Sequence, residues 1–169
     1  ADALWDVELR ETRVLACWVL SGLGDERVAE WIEPRVAGLD DPGVMASVVE
    51  RAFFNWRRLA GVTYIERIER WLASSRSVLH ALGLRALEAG LDMPELEDMH
   101  RAFEALAGLP RPVRGDARNA LADLLETLAR RSPAETTHFL LQAIDADQPG
   151  IERLARSLLA NLPPAQRER

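Results

Sequence analysis

Arg118-Asn119-Ala120-Leu121-Ala122-Asp123-Leu124-Leu125-Glu126-Thr127-Leu128 is the stretch that decides the fold. Leu121, Leu124, Leu125 and Leu128 recur at three- and four-residue spacing, with Ala117 one turn ahead, so one face of a helix is apolar. The same kind of segment, rich in Ala and Leu and usually opened by an arginine, comes round from Arg13 to Leu23, Arg51 to Ala60, Ala81 to Leu91 and Arg153 to Leu162. The segment ends lie 31 to 37 residues apart, with a shorter amphipathic segment between each pair. A helix pair repeated at this period predicts a stacked, all-α solenoid. Such a stack buries one face of each unit on its neighbours and leaves a long concave surface free to bind.

Outward from that stretch, the helix limits follow from local signals. Val7 to Leu23 reads as one helix, broken by Gly22 and Gly24. Asp25 can cap a second helix running to about Leu39, which Pro34 kinks or ends early because proline removes a backbone donor. Asp40-Asp41-Pro42-Gly43 reads as a turn, followed by a long helix from Val44 to Leu59. Tyr64 to Ser74 is helical, and Ser74-Ser75 can cap the next helix, Arg76 to Ala89. Met93-Pro94-Glu95 opens another, to about Leu106, with Pro94 in a first-turn position. Gly108 to Pro112 is a rigid loop before a helix from Val113 to Arg131. Ser132-Pro133-Ala134-Glu135 has the form of a capping box and opens a helix to Ile144. Gln148-Pro149-Gly150 turns into a last helix, Ile151 to Leu162. About nine helices result, in one domain over residues 1–162, with 163–169 a charged tail.

Of 169 residues 48% are hydrophobic, ample for a core, and no 18-residue apolar run predicts a transmembrane helix. The N-terminal residues lack a basic region followed by an apolar one, so no signal peptide is read there. One cysteine, Cys17, rules out an internal disulfide and suits a reducing cytoplasm. In an apolar helix it reads as a small buried thiol. The net charge of −6 argues against indiscriminate nucleic-acid binding, which needs a positive field, but leaves room for a local basic stripe. All 21 basic residues are arginine, so every cation is a planar fork able to grip phosphate or carboxylate through two bonds.

His80, His100 and His138 stand on different helices without a second ligand at metal-binding spacing, so no metal site is expected. No GxSxG, glycine-rich phosphate loop or Walker motif occurs, and no cofactor is implied. Asp40-Asp41 and Asp145/Asp147 are paired carboxylates at turns, with Asp41 placed near a helix N-terminus. Trp18, Trp31, Trp56 and Trp71 read as packing residues. Trp56 also precedes Arg57-Arg58, the order of a stacking and phosphate-contact group. Arg111, Arg114 and Arg118 cluster at one loop–helix junction, a natural phosphate site.

Leu4-Trp5-Asp6, then Arg10-Glu11 and an Ala/Leu helix, resembles the start of a repeat in the AlkD-type DNA alkylation repair family, whose members are HEAT-like repeat proteins. Ile68-Glu69-Arg70-Trp71-Leu72-Ala73-Ser74 is similar to its segment before a central repeat helix, and Ala129 to Pro133 followed by Arg153-Leu154-Ala155 is similar to its C-terminal repeats. The resemblance spans about Leu4 to Leu162 and rests on order and spacing. It implies a right-handed, superhelical, HEAT-like (armadillo-type) solenoid. The family carries further helices before this point, so the chain is read as a shortened member or a piece of one. Catalytic relatives excise alkylated bases with cleft tryptophans, an aspartate and an arginine. Those positions fall here on Asp41-Pro42-Gly43, Ala46, Ala81 and Asp123, so no catalytic role transfers. An oxocarbenium-like transition state needs a placed carboxylate, and a cationic base needs aromatic faces.

The resulting expectation is a diverged member that binds nucleic acid, including damaged DNA, on its concave face without base excision. The face would present Ser47, Arg51, Arg76, His80, Arg114, Arg118, Asn119 and Asp123. Arginines would meet phosphate, and Asn119 and His80 would meet sugars or bases. Two other readings stand beside it: a protein–protein interaction scaffold, which the acidic charge favours, and an active alkylpurine glycosylase using other residues.

Overall fold

A computed structural model describes residues 1–145 apart from 40, 98 and 111. The secondary structure of the described residues is helical, joined by turns and short connections, with no strand among them. In chain order they form α1 (Asp2–Trp5), α2 (Arg10–Leu20), α3 (Arg27–Ile32), α4 (Pro42–Ser47), α5 (Phe54–Leu59), α6 (Gly61–Leu72), α7 (Ser77–Gly90), α8 (His100–Ala107), α9 (Asp116–Arg131) and α10 (Pro133–Asp145). Single 3-10 turns occupy Val36–Gly38 and Pro94–Leu96, and a π turn, Val48–Ala52, joins α4 to α5. None of the described helices is long and apolar enough to cross a membrane.

Several limits move from where the sequence puts them. The first long helix starts at Arg10, since Glu8 takes positive φ (59°) and turns the chain away from α1. Proline stops the second helix: α3 ends at Ile32, two residues before Pro34. Asp41 belongs to the following helix as its N-cap, its carboxylate accepting from the N–H groups of Gly43 (2.7 Å) and Val44 (3.2 Å), with Pro42 next. The expected Met93-to-Leu106 helix is two pieces, because Met99 adopts a left-handed conformation (φ 55°) while packing against the core. Gly115, at φ 57°, delays the start of α9 to Asp116. At the expected capping box, the Ser132 hydroxyl donates directly to the Glu135 carboxylate at 2.5 Å. Asp40, Arg111, Asp147, the Gln148-Pro149-Gly150 turn, the Ile151–Leu162 helix and the tail lie outside the described residues.

Two rows of helices follow from the packing. In one row α2 meets the π turn, the π turn meets α7, and α7 meets α9. The second row sets α6 against α5, α7 and α8, and α10 against α9. Buried side chains from Trp5 to Ala143 form one connected apolar cluster. At its centre Phe53, Trp56, Tyr64 and Trp71 pack ring against ring. Trp56 lies edge-on to Tyr64 at 5.1 Å and Phe53 stacks on Trp71 at 5.6 Å. Each polar tip finds a partner. The Tyr64 hydroxyl donates to the Ala86 carbonyl (2.8 Å), Trp56 Nε1 to Thr63 Oγ1 (3.0 Å) and Trp71 Nε1 to Glu33 Oε1 (2.7 Å). Glu33 also accepts from Arg67 (2.9 Å), tying α3 to α6. The π turn carries an extra residue within one turn, so Val48, Val49, Ala52, Phe53 and Trp56 all reach the core while Glu50, Arg51 and Phe54 face outward.

Candidate functional site

Helix starts collect on one side of the molecule. A groove of about 320 Å³ is lined by Val36, Leu39 and Met45, by Ser77, Val78 and Ala81 of α7, and by Arg114 to Ala117 at the start of α9. The ends of α7 and α9 differ there from that of α4. Asp41 already satisfies α4, whereas neither Arg76, the N-cap of α7, nor Gly115, the N-cap of α9, offers a side-chain bond to the first turn. Uncapped first-turn N–H groups and the positive end of the helix dipole therefore face the groove from two long helices.

The cations there are not neutralised. Arg10, Arg27, Arg35, Arg67, Arg70, Arg85, Arg101, Arg130 and Arg131 each meet a carboxylate. Arg76, Arg114 and Arg118 have no carboxylate partner among the described residues, and all three are exposed. Arg76 reaches the Glu33 backbone carbonyl at 3.3 Å, which keeps its charge beside the groove. The one acid lining the groove, Asp116, is held by Arg85 at 2.9 Å. Such an arrangement attracts an anion and offers both N–H donors and guanidinium forks to bind it.

Of the eight residues expected on a binding face, the structure groups some and withdraws others. Arg114 lines the groove, with Arg118 beside its lining residue Ala117 and Arg76 beside Ser77. Asn119 and Asp123 are exposed farther along α9. Ser47 is buried and donates to the Gly43 carbonyl at 2.9 Å, so its hydroxyl is already used. His80 is buried as well, with Nε2 2.5 Å from the Ser74 carbonyl oxygen, an acceptor that requires the proton on Nε2. Arg51 lies elsewhere, in a second cleft of about 260 Å³ with Trp18, Ser21, Glu50 and Phe54.

That second cleft was missed in the sequence, and one of the four tryptophans read as packing residues lies exposed there. Trp56, the candidate stacking group, is fully buried. Trp18, read as a packing residue, is 55% exposed, with the Arg51 guanidinium 4.4 Å from its ring centre. Phe54 is exposed too, with Arg58 at 5.3 Å and Arg57 at 6.0 Å from its ring centre. The available signal was that Trp18 and Val19 prolong an apolar run on the side of α2 opposite its buried Ala16, Cys17 and Leu20.

Among the described residues no group of three or more His, Cys, Asp or Glu could hold a metal ion. Burial pushes the Cys17 thiol up to about 12, so it is held protonated and unreactive. No protein-family profile, curated protein or solved structure matches this chain.

Proposed function

We propose that this chain is a HEAT-like helical-repeat protein, diverged from the DNA alkylation repair family, that binds the nucleic-acid backbone and performs no base excision. In this reading the helix rows continue as a right-handed superhelical solenoid, and the helix starts of α4, α7 and α9 mark its concave side. The protein would act in a reducing cytoplasm, where Cys17 stays a thiol. One observation carries the proposal: two helix N-termini without side-chain caps open onto one groove that Arg114 lines, with Arg76 and Arg118 next in sequence to lining residues and all three without carboxylate partners among the described residues. Phosphate is the ligand chemistry that uses both features together.

The test is affinity for duplex DNA, intact and carrying an abasic or methylated-base analogue, measured for the parent chain and for Arg114→Ala/Arg118→Ala. Both side chains are exposed and unpaired among the described residues, so the variant should fold normally. Its affinity should fall about 10-fold or more, and its salt dependence should shrink by nearly two phosphate contacts. Unchanged affinity would remove this groove from consideration, and release of free base from the methylated duplex would replace binder with glycosylase. A protein-scaffold reading is favoured by a different surface, the exposed apolar side of α2.

A further inference from the structure

α2 is apolar on both sides. Ala16, Cys17 and Leu20 face the core, while Leu15 (52% exposed), Trp18 (55%) and Val19 (56%) form a stripe at i, i+3, i+4 on the outside. After its polar first turn α2 carries apolar residues on the side away from the core, and among the described residues no element covers them. The stripe is extended by Phe54 of α5, which shares the cleft with Trp18. Arg51 and Arg58 stand close to the two rings without carboxylate partners among the described residues, while Arg57 has a buried guanidinium nitrogen and acts on buried Tyr64; Glu50 lines the cleft, and Glu11 is exposed one turn before Leu15.

We propose that this face docks an acidic amphipathic helix of a partner protein. Its apolar stripe would cover Leu15, Trp18 and Val19, and its carboxylates would meet Arg51 and Arg58. Two features select this occupant. The stripe has helical spacing along a helix of 11 residues, so a second helix lies along it in ridge-and-groove contact. Arg51 and Arg58 stand at the two exposed rings without carboxylate partners among the described residues, which favours an acidic helix over a basic one at this face. A nucleic-acid strand would use Arg51 and one ring face, yet leave Leu15 and Val19 bare.

The experiment uses the full chain and a designed Leu/Glu amphipathic helix of about 18 residues, roughly five turns. A Leu/Lys helix of the same pattern and a dT oligonucleotide serve as the competing occupants, and binding is read by fluorescence anisotropy of the labelled probe. The Leu/Glu helix should bind at least 10-fold more tightly than the Leu/Lys helix. Trp18→Ala should weaken it at least 10-fold, and Arg51→Glu/Arg58→Glu should reverse the preference between the two peptides. All of these side chains are at least partly exposed, and far-ultraviolet circular dichroism checks that the variants fold. Equal affinity for both peptides, or no binding of either, overturns the proposal. So does dT binding that Trp18→Ala abolishes, or a concentration-dependent dimer that the same change dissociates. Arg114→Ala/Arg118→Ala should leave the peptide affinity unchanged, so failure at this face and failure at the groove are read separately.

Discussion

Cys17 and Tyr64 are buried groups whose neutral forms the fold requires. Burial raises the Cys17 thiol from 9.0 to about 12, against a smaller opposing pull from its backbone hydrogen bond and from Arg51. Burial also raises the Tyr64 phenol, opposed in part by Arg57. Below pH 9 both groups are protonated whether the chain is folded or not, so they add no pH dependence. Above it the unfolded chain ionises Cys17 first while the native thiol stays neutral, so stability falls from about pH 9 toward pH 12. At pH 10.5 the Cys17 share is about 2 kcal/mol. Urea midpoints of the parent chain should therefore fall between pH 8 and 10.5, and Cys17→Ala should fall less. Equal slopes for the two proteins would show that Cys17 is reached by water in the native state. The buried thiol was legible from its place in an apolar helix. The exposure of Trp18 was not, because Trp18 and Trp56 both sit in apolar helical sequence and only packing against Tyr64 and Trp71 sets Trp56 inside and leaves Trp18 out.

At the scale of elements, the contact between α6 and α7 depends on a missing side chain. A Cβ on Gly83 would lie 3.1 Å from Leu72 Cδ2 and 3.2 Å from Trp71 Cβ. The Trp71 atom is fixed to its backbone and cannot swing aside, so the helices would have to separate. Gly83→Ala should destabilise the protein by about 1–3 kcal/mol, although alanine is the better helix former by about 1 kcal/mol. Gly108→Ala meets only the Ala105 carbonyl oxygen at 3.5 Å, an ordinary contact, and should be neutral within about 0.5 kcal/mol. Chemical denaturation of the two variants checks the pair, and a stabilised Gly83→Ala protein would disprove the close approach. The stop at Pro34 was legible in the chain, whereas the Asp41-Pro42-Gly43 stretch, read as a turn, begins α4. The break at Met99 was not legible, since no glycine or asparagine announces a left-handed residue there and core packing holds it.

For the whole molecule, electrostatics decides how strongly a chain of net charge −6 can hold a polyanion. Nine arginines are engaged with carboxylates among the described residues, which leaves the groove with three cations to offer. Three phosphate contacts correspond to a log–log salt slope of about −2.7, so DNA affinity should drop roughly 40-fold between 50 and 200 mM salt. A much steeper slope would mean that many more arginines take part, and a flat one would mean that phosphate is not the ligand. The same distribution of paired and unpaired cations distinguishes the groove at α7 and α9 from the apolar face of α2, so each can be disabled alone.

The sequence by itself determined that the described residues are helical without strands, roughly where the helical segments lie, and that arginines cluster near Arg114 and Arg118. These are properties of neighbouring residues, set by apolar periodicity, capping groups and proline. Only the tertiary structure decided which arginines are neutralised, that Ser47 and His80 are spent on backbone carbonyls, and that Arg51 parts from the groove to join Trp18 and Phe54. The Ser47 and His80 bonds are local, but the burial that hides them and the pairing of the arginines depend on contacts between residues far apart in the chain, such as Arg67 with Glu33 and Arg85 with Asp116, which helical periodicity does not encode.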